Sequence, residues 1–337
     1  MKHARDCARA LAQGAPALLQ TAGVEFVATW EFYFNMLDLQ QETHQLHIDW
    51  TLELASWQRA RQLVAERAKD MEQLLRSGAN VNVNDHSTGF TALHCAAALG
   101  HIDTTLVLMQ HHADTALQCR YSGTALLAAA GGCGREPLRR EPSGHAAVCH
   151  LLLAGGARLE ERDKNGNTAL MIAASWGHAS VCEVLLAAGA QLEQRSADGR
   201  TALVIAASGG HTAVCQLLLA AGARRSPTEH AAGCTAIHYA VINGHVDCVE
   251  ELLLAGAAPN TRGGPCSRTP LVMAASLNHY AIAELCVAFG ADLRSTDASN
   301  STAVDWALDH DNHDMARMLR RCQLCASAVS ALFKTAS

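Results

Sequence analysis

The chain has 337 residues and a formal net charge of −6; 49% of it is hydrophobic but only 4% is aromatic. A mildly acidic chain without a long Lys/Arg run lacks the electrostatic footprint of a nucleic-acid or anionic-membrane binder. No apolar stretch approaches the ~20 residues that a bilayer-crossing helix needs. Much of the apolar content is Ala and Leu, which suits closely packed helices better than one bulky core. The N-terminus, MKHARDCARALAQGAPALLQ, carries an acid and a broken apolar run, which argues against a cleaved signal peptide. Thirteen cysteines, odd in number and scattered, point to reduced thiols of the cytosol or nucleus rather than a secreted disulfide scaffold.

In chain order, residues 1–56 come first and hold Phe26, Trp30, Phe32, Tyr33, Phe34 and Trp50. Next, AKDMEQLLRSGANVN (68–82) reads as a helix ended by a glycine and a polar turn. From there Thr-x-(Leu/Ile/Val) recurs at Thr91, Thr124, Thr168, Thr201, Thr235, Thr269 and Thr302, with gaps by subtraction of 33, 44, 33, 34, 34 and 33. The long gap is one period plus 11, a unit that carries an insertion. Each Thr stands where a helix begins and its hydroxyl can cap free backbone N–H groups. Pro270 occupies the first helical position of its unit. The pairs Ala96–Ala97, Ala173–Ala174, Ala206–Ala207 and Ala274–Ala275 allow neighbouring helices to approach closely. Gly-His at 100–101, 144–145, 177–178, 210–211 and 244–245 breaks the first helix of each unit. A Leu-rich second helix follows, and Gly156, Gly189, Gly222, Gly256 and Gly290 stand where it should end in a left-handed residue.

The units NGNTALMIAASWGHASVCEVLLAAGAQLE, DGRTALVIAASGGHTAVCQLLLAAGARR and AGCTAIHYAVINGHVDCVEELLLAGAAPN resemble the ankyrin repeat, whose signature is T-P-L-H-x-A at a 33-residue period. His94 and His238 keep the signature histidine, and Pro270 alone keeps the proline. The resemblance implies an all-α solenoid of helix pairs joined by β-hairpin-like loops, elongated and gently curved, with a concave groove. In this layout residues 1–56 form a helical extension or cap. Residues 57–323 form the repeat domain: a degenerate unit at about 57–85, then units at about 86–118, 119–162, 163–195, 196–229, 230–263, 264–296 and 297–323. Residues 324–337 form a tail, read as one more short packing helix or a loose end. The aromatic N-terminal segment has two readings, helices that cover the first unit or a separate docking module.

Residues 131–143 hold the insertion, whose Pro137 and Pro142 mark a solvated loop; the alternative is a phosphate or acidic-peptide contact through Arg135, Arg139 and Arg140, a signal that Glu136 and Glu141 dilute. The last unit, STAVDWALDHDNHDMARMLRRC, lacks Gly-His and is more charged, which suits the cap of a stack.

Eighteen histidines raise the question of metal or acid–base chemistry. His101, His145, His178, His211, His245 and His279 all follow the turn position, however, and the repeat accounts for them. Cys149, Cys182 and Cys215 lie four residues after a turn histidine and form a ladder; Cys248 is out of phase by one. Helices ~8–10 Å apart are too distant for disulfides, so these cysteines are expected as small buried apolar residues. The one metal-like set is His310, His313, Cys322 and Cys325. A helix over 313–322 would separate its ends by ~13 Å, too far for one zinc. P-loop, GxGxxG, HExxH and GxSxG signatures are all missing. The segments flanking the repeats are too short for a fused catalytic domain. No enzyme activity, cofactor or metal is expected.

The resemblance further implies a partner protein, bound by the hairpin tips and the concave side of the first helices. The family's variable surface positions lie four, three and one before the Thr and seven and eight after it. They hold Phe90, Leu99, Arg120, Tyr121, Lys164, Asn165, Asn167, Trp176, Arg200, Ile242, Asn243, Arg268 and Leu277. Trp176 stands out because the repeat's own packing does not call for an aromatic there, and Trp, Tyr and Arg dominate hot spots. The expectation is a non-catalytic interaction scaffold. The alternative is a substrate-receptor subunit of a ubiquitin ligase that docks through 1–56, although the tail is too short to resemble a SOCS box and 1–56 shows no F-box pattern.

Overall fold

The computed structural model describes residues 71–73, 75–84, 89–120, 122–131, 144–225 and 233–335. The expectations for 1–56 and for most of the 131–143 insertion lie outside the described residues. Within them the chain is all-α, with no strand and only isolated antiparallel bridges such as Asn84 to Thr91 and Gly263 to Arg268.

Seven helix pairs follow the seven threonines. They are α1 (Ala92–Ala98) with α2 (Ile102–Gln110), α3 (Ala125–Gly131) with α4 (His145–Ala154), α5 (Ala169–Trp176) with α6 (Ala179–Ala187), and α7 (Ala202–Gly209) with α8 (Thr212–Ala220). Then come α9 (Ala236–Ile242) with α10 (Val246–Leu254), α11 (Pro270–Ser276) with α12 (Tyr280–Ala288), and α13 (Ala303–Asp309) with α14 (His313–Thr335). The chain forms two compact units, one of residues 1–164 with 187–189, the other of 165–186 and 190–337. Inside each unit, first helices pack on first helices and second on second. In the second unit this gives α5 on α7, α7 on α9, α9 on α11 and α11 on α13.

The capping threonines have extended backbones, but they do not all cap alike. Thr91, Thr269 and Thr302 accept a hydrogen bond from the backbone N–H three residues on. Thr91, Thr235 and Thr302 form reciprocal capping boxes, because His94, His238 and Asp305 reach back to the cap N–H. Thr168 makes no side-chain cap bond, and the residue three on is Met171, which has nothing to return. The Thr thus marks the helix start at every unit, while the partner three residues on strengthens the cap only where it is polar.

The glycines after the second helices take left-handed φ values, from +82° at Gly290 to +94° at Gly222. Four of the five Gly-His glycines do likewise. Gly144 differs: its φ is −99°, and it is the N-cap of α4 rather than the end of α3. The insertion separates it from its first helix, so it no longer turns the chain there. The C-terminal tail also departs from expectation. The second helix of the last unit runs without a break from His313 to Thr335, so 324–335 is neither a separate helix nor a loose end.

The core is the layer between and within the pairs. Ala97, Ala173, Ala174, Ala206, Ala207, Ala274 and Ala275 are fully enclosed, and so are Leu108, Leu152, Leu185, Leu218 and Leu252 on successive second helices. Leu218→Ala should therefore destabilise the chain by ~2–5 kcal/mol, since the cavity lies inside a close-packed layer. Urea unfolding checks this, and a loss below ~1 kcal/mol would contradict the packing described here.

Candidate partner-binding surface

The groups with chemical potential are first accounted for by the repeat. His94 is buried and sits in a closed network. Its Nδ1 accepts from the Thr91 N–H at 3.3 Å and lies 2.8 Å from Thr91 Oγ1, and its Nε2 donates to the Gly123 carbonyl at 3.0 Å. His238 repeats this with the Thr235 N–H at 3.1 Å and the Thr261 carbonyl at 3.1 Å. A carbonyl can only accept, so Nε2 carries the proton and the rings are neutral. Burial pushes both imidazoles below the ordinary histidine range, against their carbonyl contacts. The turn histidines do something different. His145, His211 and His245 donate Nε2–H to the carbonyls of Ala98, Ser175 and Ser208, each at the end of the preceding unit's first helix.

Cys149, Cys182, Cys215 and Cys248 are all buried. Burial lifts the Cys149 and Cys286 thiols to about 12. The phase slip of Cys248 has a consequence that spacing alone does not show. The slip brings Cys248 into hydrogen-bond contact with Cys215 of the neighbouring second helix, and with Thr212 Oγ1 at 3.3 Å. These bonds hold the Cys248 thiol below its ordinary range, while the shared hydrogen bond and burial push Cys215 up. Of the metal-like set, His310 and His313 are exposed and Cys325 lies further along the continuous α14. His313 and Cys325 are twelve residues apart on that helix, about 18 Å at 1.5 Å per residue, so the set cannot close on one ion. Among the described residues no three His, Cys, Asp or Glu side chains group as a metal site, and no helix is long and apolar enough to cross a membrane.

The sequence-derived surface positions fall in both units. In the first, Phe90 and Leu99 are half-buried, with the Phe90 ring edge-on to His94 at 5.8 Å, and Arg120 and Lys164 are exposed. Tyr121 lies outside the described residues. In the second unit Asn165 is exposed and Asn167 half-buried. Trp176 ends α5, half-buried beside the left-handed Gly177. Ile242, Asn243 and Leu277 stand at the ends of α9 and α11 and are exposed; Ile242 and Leu277 each show 42% of their surface although they are large and apolar.

Spacing did not reveal that three of these residues are also tied to neighbouring repeats. Arg200 lies over the Tyr239 ring at 5.1 Å, and Arg268 over the Trp306 ring at 4.3 Å. In both cases the Arg precedes its unit's Thr by one, and the aromatic follows the next unit's Thr by four, a signal visible only once the pitch between units is known. Asn243 donates its amide to the carbonyl and hydroxyl of Ser208 on α7.

A model of the family described as Ankyrin repeats (3 copies) matches residues 62–137, 142–196, 189–263 and 237–327. The chain belongs to the ankyrin-repeat family. Human ARF GTPase-activating protein GIT1 is 34% identical over 87 residues, 26% of this chain and 11% of that protein. Human Ankyrin repeat domain-containing protein 63 is 34% identical over 116 residues, 33% of this chain and 27% of its own length. Mouse Ankyrin repeat and SOCS box protein 6 is 37% identical over 100 residues, 30% of this chain and 22% of its own length. The chain thus spans 11–27% of these relatives, and the likeness extends to the repeats rather than to whole proteins. Membership supports a protein-interaction role for the stack.

The neutral histidines carry a pH signature. Their folded-state proton affinity is depressed, so their contribution is complete above the unfolded value near 6.5 and is lost as the pH falls below it. In urea unfolding at pH 7.5 and 5.5, His94→Gln and His238→Gln should each shrink the acid-side loss of stability by about 1 kcal/mol relative to the parent chain. An unchanged loss would mean the rings are already charged in the fold.

Proposed function

We propose that this chain is a non-catalytic interaction scaffold that holds a partner protein on the first-helix and hairpin-tip face of its repeats. The surface comprises Phe90, Leu99, Arg120, Tyr121, Lys164, Asn165, Asn167, Trp176, Arg200, Ile242, Asn243, Arg268 and Leu277. The observation that carries the reading is the exposure of Ile242 and Leu277 on helices whose other apolar residues are buried. Large apolar side chains left exposed near the ends of neighbouring first helices favour association. His94, His238, the turn histidines His145, His211 and His245, and the cysteine ladder are engaged in caps, inter-repeat bonds and the core, which supports a role without cofactor or metal. The acidic balance favours a protein partner over nucleic acid.

A second reading rests on the likeness to Ankyrin repeat and SOCS box protein 6. In it the repeats receive the substrate of a ubiquitin ligase and 1–56 supplies the docking segment. A pull-down with 1–56 separates the two, since only this reading has that segment retain ligase components.

Trp176 makes no hydrogen bond through its indole N–H among the described residues. Trp176→Ala should therefore cost at most about 1 kcal/mol of stability while stripping partners from the chain in affinity purification followed by mass spectrometry. A collapse of the thermal melt would place Trp176 in the core instead.

A further inference from the structure

Two arginines occupy equivalent places in the second unit, and their surroundings differ. Arg268 is compensated: its Nε lies 3.4 Å from Asp297 Oδ2 and its Nη1 3.2 Å from Ser276 Oγ. Asp297 is buried and held in turn by the Trp306 indole N–H at 3.0 Å and by the Ser299 and Ser301 N–H groups. This arginine is part of the scaffold. Arg200 also has an aromatic ring beneath it, that of Tyr239, but its buried Nε has no hydrogen-bond acceptor, and no carboxylate among the described residues pairs with it. At the spacing where Asp297 precedes Thr302, five residues, the chain has His230 before Thr235. The unit that would supply the counter-charge therefore has no acid at that position.

A guanidinium placed over a ring, with its Nε buried, has already lost some of its rotational freedom. A charged donor shielded from water and left without an acceptor favours any ligand that supplies one. A carboxylate matches the fork of an arginine with two parallel bonds. The surface beside it is apolar. Tyr239, Ile242 and Asn243 share one face of α9 at i, i+3 and i+4, and Asn243 is locked to Ser208, so the platform is rigid. Leu277, also exposed, stands at the end of α11, the helix packed against α9. Tyr239 and Ile242 are about 4.5 Å apart along the helix axis, a distance an extended peptide covers in one or two residues.

We propose that the Arg200–Tyr239 pair is the anchor for a carboxylate side chain of the partner, with an apolar side chain of the same segment seated on Ile242 and Leu277. This rests on the reading of the first-helix face as partner-binding and narrows it to an acidic–apolar peptide segment. The net charge of −6 opposes long-range attraction of an acidic partner, so the selectivity lies in the contact and the dissociation rate rather than in steering.

The test uses the full chain and a displayed library of random twelve-residue peptides, followed by synthetic copies of the peptides recovered. The expected result is that binders carry Asp or Glu one or two residues from a large apolar residue. Replacing that acid by its amide, or making Arg200→Gln, then weakens binding about 10- to 100-fold, and the two changes together are no worse than either alone. Arg200→Lys, which keeps the charge on a flexible stem, retains part of the affinity and guards against misfolding of the Gln variant. Binders without an acid, insensitive to Arg200→Gln but lost in the double variant Ile242→Asp/Leu277→Asp, would overturn the carboxylate anchor while leaving the face as the partner site. Binders insensitive to all of these substitutions, or no binders at all, would overturn both.

Discussion

The turn histidines His211, His245 and His279 are each built on the glycine of the repeat before, Gly177, Gly210 and Gly244. At Gly177 the backbone is left-handed, and a Cβ there would stand 2.5 Å from His211 Nδ1; at Gly210 the same atom would meet His245 at 2.6 Å. Neither space nor φ admits a side chain. The imidazole that fills the place then donates to a carbonyl at the end of that same preceding helix. One dipeptide thus serves two units at once: its glycine turns its own chain and makes room for the next ring, and its histidine satisfies an orphan carbonyl of the helix before. A helix pair of about seven and nine residues could not persist alone. The stack exists because such links make each unit part of the next one's core.

This constraint gives several chemically capable residues a structural place in the stack. A neutral ring that both accepts and donates is the histidine state the caps need, and burial enforces it at His94 and His238. Cys149, Cys182 and Cys215 lie buried in the core, and where the ladder slips by one residue, at Cys248, the sulfur meets Thr212 of the neighbouring second helix. Ile242 and Leu277, by contrast, stay exposed at the ends of their helices.

The equivalent arginines show how a repeat array produces a specific site from near-identical parts. Stacking on the next unit's aromatic is common to Arg200 and Arg268. The buried Asp297 and the Ser276 hydroxyl hold Arg268 alone, and Arg200 has neither contact.

The sequence by itself determined the period, the helix starts at the threonines, the left-handed glycines, and the all-α class, because these are local requirements of φ, capping and apolar spacing. It also assigned the turn histidines and most cysteines to the repeat. It did not show that Gly144 ceases to be a turn, since that depends on where an insertion departs. Nor did it show that α14 continues to Thr335, since the pattern there has no stop signal strong enough to read. Only the tertiary structure decided which surface residues are free. Arg200, Arg268 and Asn243 look alike as variable positions, and their partners lie about a whole repeat away, at Tyr239, Trp306 and Ser208. Such contacts depend on the pitch between stacked units, a property of packing that no single unit's sequence encodes.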